Sequence, residues 1–107
     1  LEEKMVYKTF NSHETIAEGL EGGIGDLTYE LGRELIDEMV LVEETDIRAA
    51  IRFLLAHHRL VVEGSGAVGV AALLAGLLAE NYPQLGIVLS GGNLDFELLK
   101  EIVNEGE

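Results

Sequence analysis

The sequence predicts an α/β fold in which short parallel strands alternate with helices. Three apolar runs have the length of strands: Met39–Val42, Leu60–Val62 and Ile87–Leu89. Between them lie segments whose apolar residues repeat every three or four positions, as on one face of a helix. The chain has 107 residues, enough for one small domain but not two. We therefore expect a single α/β domain over residues 1–107.

The first helix is predicted over residues 26–37, with Asp26 as its N-cap. Its leucines recur at a spacing of four, at Leu27, Leu31 and Leu35. Met39–Val42 follows and is bounded by acidic pairs on both sides. We interpret this run as a strand buried on both faces.

A second helix is predicted over residues 47–55, because its apolar residues mark one face: Ile47, Ala50, Ile51, Leu54 and Leu55. Leu60–Val62 then leads into a third helix, predicted over Gly64–Glu80 and ended by Pro83. This helix is apolar nearly all round, so we expect it in the interior.

The last two elements are the strand Ile87–Leu89 and a helix over residues 94–103. Two or three short strands make a thin sheet, so the elements resemble a slice of a larger sheet. Such a slice leaves strand edges unpaired and leaves apolar surface on the helices at 47–55 and 94–103. We therefore expect a homo-oligomer.

The composition excludes several classes of partner. Twenty acidic and seven basic residues give a net charge of −13, which argues against nucleic acid and anionic membrane surfaces. The most apolar stretch, residues 64–79, is shorter than a typical span of about 20 residues. Cysteine is absent, which fits a cytoplasmic protein. Adjacent His57 and His58 would point about 100° apart on a helix, so no metal site is predicted.

The most informative segment is Ser90–Asn93, a glycine turn between the last strand and the last helix. In α/β proteins, the carboxyl ends of strands form the crevice where ligands bind. Two adjacent glycines let the backbone approach a flat or charged ligand. Thr15–Leu20 and Val62–Ala67 precede this turn in the chain. The three segments together are far more specific than any one alone.

In this order, the segments resemble the carboxyl-terminal part of the catalytic domain of threonine/serine dehydratases, a family that includes serine racemase. These are pyridoxal-phosphate enzymes of fold type II. The resemblance extends from about Thr15 to Val103. It implies a partial slice of the large domain of that fold, with an amino acid as the substrate of the parent enzyme.

The resemblance also implies roles for six residues toward pyridoxal phosphate. Ser90 matches the residue whose hydroxyl donates to the pyridine nitrogen. Gly19 matches the glycine against one face of the ring, and Glu63 the carboxylate near the ring edge. The turn under the ring is completed by Gly91, Gly92 and Asn93.

The chain departs from the family at the residues that react. The family's Schiff-base lysine lies in a Ser-x-Lys-x-Arg segment, whereas the lysines here are Lys4, Lys8 and Lys100, none in that setting. The tetraglycine phosphate loop and the substrate-carboxylate loop are also missing, and so are most ligands of the family's cation site. We therefore expect no catalytic residue and no metal ligand in this sequence. We expect the chain to form one wall of a cofactor site.

Simpler interpretations stand beside these roles. Ser90 could be the N-cap of the last helix, Glu63 an acid favoured by a helix dipole, and Gly19 a flexible loop residue. For the whole chain, one hypothesis is a fragment of a dehydratase, since the sequence begins with Leu1 instead of methionine. Such a fragment would be inactive alone. The other is a standalone, non-catalytic remnant that acts as a self-associating binding module.

Overall fold

The computed structural model describes residues 15–78 and 82–106. A short 3₁₀ helix at Glu18–Leu20 comes first. Within the described ranges, four α-helices follow: α1 at Asp26–Leu35, α2 at Glu44–His58, α3 at Gly64–Leu74 and α4 at Phe96–Asn104. None of these helices is long and apolar enough to cross a membrane.

The predicted α/β class is wrong for the part of the chain described, because it contains no strand. A parallel strand requires a ladder of hydrogen bonds to a neighbour. Among the described residues, no backbone bond joins two predicted strands, and the nearest one runs from the Glu63 N–H to the Gly91 carbonyl, at 3.0 Å, just beyond the ends of Leu60–Val62 and Ile87–Leu89. Burial within the apolar runs is also uneven, since Leu41 is 93% exposed and Val88 83%, whereas Val62 belongs to the core. The apolar character of a run indicates burial, but it does not show whether a neighbouring strand is present to form hydrogen bonds.

The core lies where α2 packs against α3 and α4. The predicted apolar face of α2 is confirmed, because Ile47, Ala50, Ile51 and Leu54 are all buried. It meets small residues of α3 and Ile102 of α4 in one cluster. The helices at 47–55 and 94–103 therefore cover part of each other's apolar faces, whereas Val103 on the second remains 45% exposed.

The carboxyl end of α3 is closed by a glycine. The helix stops at Leu74 because Gly76 adopts a φ of 72°, a conformation that favours glycine. The N–H groups of Gly76 and Leu77 then bond to the carbonyls of Leu73 and Ala72, a common way to close a helix. The predicted end at Glu80 lies outside the described residues.

The first helix also differs from its prediction. Its N-cap is Gly25, so Asp26 is the first helical residue instead of the cap. Tyr29 is its buried residue. The leucines whose spacing predicted the helix face outward: Leu27 is 73% exposed, Leu31 49% and Leu35 73%.

Candidate functional site

The amino end of α3 is where the three sequence segments meet. The Thr15–Leu20 segment lies against it on one side, with no room for a side chain at Gly64, whose Cβ would collide with the Ile16 carbonyl oxygen. The Gly19 N–H donates to Ser65 Oγ at 2.7 Å. Glycine at the start of α3 thus permits a close approach of two backbones.

The Ser90–Asn93 turn contacts the same end of α3. The Glu63 N–H donates to the Gly91 carbonyl at 3.0 Å. A Cβ at Gly66 would lie 3.2 Å from the Gly91 nitrogen, and one at Gly92 would lie 2.7 Å from the Val61 carbonyl oxygen. The two turns are therefore brought together by the first residues of one helix.

The glycine turn is separate from the start of α4. The Leu94 N–H bonds to the Gly92 carbonyl at 2.9 Å, which closes a three-residue turn around Asn93. The N-cap of α4 is Asp95, whose carboxylate accepts from the Leu98 N–H at 3.3 Å. The interpretation of Ser90 as the N-cap of this helix is therefore wrong.

Glu63 is the N-cap residue of α3 and is half-buried. Its carboxylate makes no capping bond to the helix. One carboxylate oxygen instead occupies the space where a side chain of Gly91 would stand. A negative charge at this end of a helix is also favoured by the helix dipole, so the interpretation of Glu63 as a helix N-terminal acid agrees with its position.

The cluster forms an open surface, since Gly19, Ser90, Gly92 and Asn93 are exposed. A cleft of about 570 Å³ lies elsewhere, between α2, the end of α3 and the end of α4. It is lined by residues such as Arg52, Phe53 and Val103, and none of the predicted site residues borders it.

Comparisons with known proteins assign the chain to a family. The model of the pyridoxal-phosphate dependent enzymes matches residues 2–91. This chain belongs to that family. It is 49% identical over 82 residues to the L-threonine ammonia-lyase of Thermotoga maritima, covering 77% of the chain and 20% of that protein. It is 42% identical over 86 residues to the serine racemase of Arabidopsis thaliana, covering 76% of the chain and 26% of the relative.

A solved structure gives the same result. The threonine deaminase of T.th. superimposes with a TM-score of 0.77 at 34% identity, over 89% of this chain and 34% of that one. The chain spans less than a third of the length of the curated relatives it matches. The resemblance drawn from the sequence is confirmed, and pyridoxal phosphate is the cofactor that the family implies.

The residues present fit the ring end of that cofactor. The cluster offers an exposed hydroxyl at Ser90 and a half-buried carboxylate at Glu63, two groups that suit a heteroaromatic ring with a nitrogen acceptor. The described part of the chain has one lysine, Lys100, whose Nζ lies 3.4 Å from the carboxylate of Glu97 on α4. Lys4 and Lys8 lie outside the described residues.

Sequence reasoning missed Ser65. Its hydroxyl is the side-chain group that joins the Gly19 turn to α3. The one available signal was its place between two glycines in the segment Val62–Ala67. That signal gave no indication of a partner 46 residues away.

Proposed function

We propose that this chain forms one wall of the pyridoxal-phosphate site of an enzyme that eliminates water from L-threonine or L-serine. The products of the whole reaction are a 2-oxo acid and ammonia. The observation that carries this proposal is the meeting of the Gly19 turn and the Ser90–Asn93 turn at the amino end of α3. Relatives named as an L-threonine ammonia-lyase and as a threonine deaminase support the reaction class.

Each residue of the cluster then has a defined task. The Ser90 hydroxyl donates a hydrogen bond to the pyridine nitrogen, while Gly91 and Gly92 let the turn pack closely against the Glu63 carboxylate and the Val61 carbonyl oxygen. Glu63 holds a carboxylate beside the ring edge, and Gly19 lies against one face of the ring. When bound, the cofactor supplies an electron sink for reactions at the α and β carbons of an amino acid.

The choice of a hydroxyl in this position has a chemical reason. A hydroxyl donates to an unprotonated ring nitrogen, whereas a carboxylate would keep that nitrogen protonated. An unprotonated ring is the weaker electron sink, which suits elimination across Cα–Cβ better than full transamination. Ser90 therefore favours the elimination chemistry proposed here.

Turnover also requires a lysine and a phosphate-binding loop that these 107 residues do not provide in the family's pattern. We therefore propose that the chain alone is inactive and binds the cofactor weakly. A cytoplasmic location is a further proposal, supported by the cysteine-free sequence. The alternative of a non-catalytic binding module gains no support from the comparisons.

The test uses pyridoxine 5′-phosphate, because its alcohol group cannot form a Schiff base with lysine. The ¹⁵N-labelled chain is titrated and followed by NMR. We expect amide shifts at Gly19, Gly91 and Gly92, and an affinity about three- to tenfold weaker in Ser90→Ala, as for the loss of one hydrogen bond. Thr28→Ala, on exposed α1, is the control and should bind as the unmodified chain does. Unmoved glycine amides, or equal affinity in Ser90→Ala, would contradict the proposal.

A further inference from the structure

Ser65 provides a side-chain link between two segments that are distant in the sequence. Its Oγ accepts the Gly19 N–H at 2.7 Å, across 46 positions. The neighbouring bonds of the Gly19 turn are mostly local, such as Ala17 N–H to Thr15 Oγ1 at 3.1 Å and Leu20 N–H to the Ala17 carbonyl at 3.0 Å. These local bonds shape the turn but do not fix it to α3.

The packing at this point is tight. A Cβ on Gly19 would lie 2.8 Å from Ser65 Oγ and 3.2 Å from Ser65 Cβ. The side of Gly19 that would carry a side chain therefore faces Ser65. The absence of a side chain at residue 19 lets the hydroxyl reach the backbone N–H.

Ser65 lies between Glu63 and Gly66, two residues that contact the Ser90–Asn93 turn. Glu63 bonds to the Gly91 carbonyl, and Gly66 packs on the Gly91 backbone. The first turn of α3 thus contacts both glycine turns within four consecutive residues. Movement at Ser65 would change the position of one turn relative to the other.

We infer that Ser65 is a positioning residue that holds Gly19 at a fixed place relative to the Ser90–Asn93 turn, so that both turns contact the same cofactor ring. This role rests on the proposed function, since it requires a ring to bind at the cluster. Ser65 acts through the backbone of Gly19 and needs no contact of its own with the cofactor.

The experiment compares Ser65→Ala, which removes the acceptor, with Ser65→Thr, which keeps a hydroxyl. Hydrogen exchange of the Gly19 amide is measured by NMR on the free chain, and pyridoxine 5′-phosphate is then titrated. In Ser65→Ala we expect Gly19 exchange about three- to tenfold faster and affinity lower by a similar factor. Ser65→Thr should restore both. Ser90→Ala is the matched control, because it should weaken binding without changing Gly19 exchange.

The outcomes separate this inference from the proposed function. If the unmodified chain binds the probe but Ser65→Ala leaves Gly19 exchange or affinity unchanged, the positioning role is wrong and the cofactor site stands. Failure of Ser65→Thr to restore both values also contradicts the role. If the unmodified chain does not bind the probe, the proposed function fails, and the positioning role fails with it.

Discussion

Glu63 and Gly91 contact each other twice, through backbone and side chain. The Glu63 N–H donates to the Gly91 carbonyl at 3.0 Å. The Glu63 carboxylate occupies the space beside Gly91 where a side chain would stand. Glycine at residue 91 thus lets a carboxylate lie directly on the turn that follows Ser90, within the cluster proposed to bind the ring.

The glycines of this cluster should differ in their tolerance of alanine. Gly64→Ala places a Cβ against the Ile16 carbonyl, a backbone group that cannot move alone, so we expect a loss of about 1–3 kcal/mol in unfolding free energy. Gly91→Ala meets the far end of the flexible Glu63 side chain, so its cost should stay below about 1 kcal/mol. Urea denaturation measures both.

Gly22→Ala is the control for these two variants, because nothing lies within 4 Å of a Cβ at that position. It should change the unfolding free energy by less than about 1 kcal/mol in either direction. Equal losses in Gly64→Ala and Gly91→Ala would show that the backbone contact with Ile16 does not restrict residue 64.

An ion cluster should stabilise the packing of α4 on α2. Glu105 reaches Arg48 at 2.7 Å and Arg52 at 3.3 Å. Because these side chains are partly exposed, we expect Glu105→Gln to cost less than about 1 kcal/mol. This loss of stability should be smaller in 1 M salt, because the Debye length for screening between charges then falls to about 3 Å. Thermal unfolding at low and high salt measures this difference.

Glu101→Gln is the matched variant, since Glu101 lies 3.9 Å from Arg48 and so makes the longer contact. Its effect should be smaller than that of Glu105→Gln. The reverse order would mean that the paired contacts of Glu105 do not hold the end of α4.

The apolar pattern predicted α2 well, because the spacing of neighbouring residues shows which face of a helix is buried, whereas the leucines that predicted α1 are exposed. The buried residues Ile47 and Leu54 show this for α2. The strands failed because an apolar run such as the one containing Leu41 cannot reveal whether a hydrogen-bonding partner exists. The site residues followed from the family resemblance, whereas Ser65 was missed because its partner is distant in the chain.

Arg59 ends α2 in the left-handed region, with a φ of 58°. Its side chain donates to the carbonyls of Leu55 and Ala56. Arg59→Gly and Arg59→Ala both lose these bonds, but only alanine keeps the steric penalty of that backbone. We expect Arg59→Gly to be more stable than Arg59→Ala by about 1 kcal/mol in urea denaturation. Equal stabilities would contradict a strained backbone at this helix end.

The chain alone should show no dehydratase turnover. The reason is that its three lysines lie outside the Ser-x-Lys-x-Arg pattern of the family. The assay is 2-oxo acid formation from L-threonine and L-serine with added pyridoxal phosphate. Borohydride reduction followed by mass analysis should find no specific lysine adduct. Turnover abolished by Ser90→Ala, or a stoichiometric adduct on Lys100, would overturn this prediction.

The last prediction is self-association, and the exposed apolar face of α1 is the feature that favours it. Leu27 and Leu35 are each 73% exposed, and Leu31 is 49% exposed, along one face of the helix. Burying such a face against a second copy removes apolar surface from water. Repulsion from the net charge of −13 opposes this, but physiological salt screens surface charges beyond about 8 Å. We therefore expect a homodimer or a higher oligomer.

Light scattering after size exclusion, over a series of concentrations, measures this association. Leu27→Glu places a charge on the apolar face, whereas Thr28→Glu adds the same charge at the adjacent exposed position. We expect Leu27→Glu to shift the mass toward the monomer and Thr28→Glu to leave it near that of the unmodified chain. Because Leu27 is largely exposed, its replacement should not disturb the core. A folded monomer at every concentration would show that this face of α1 does not bind a second copy.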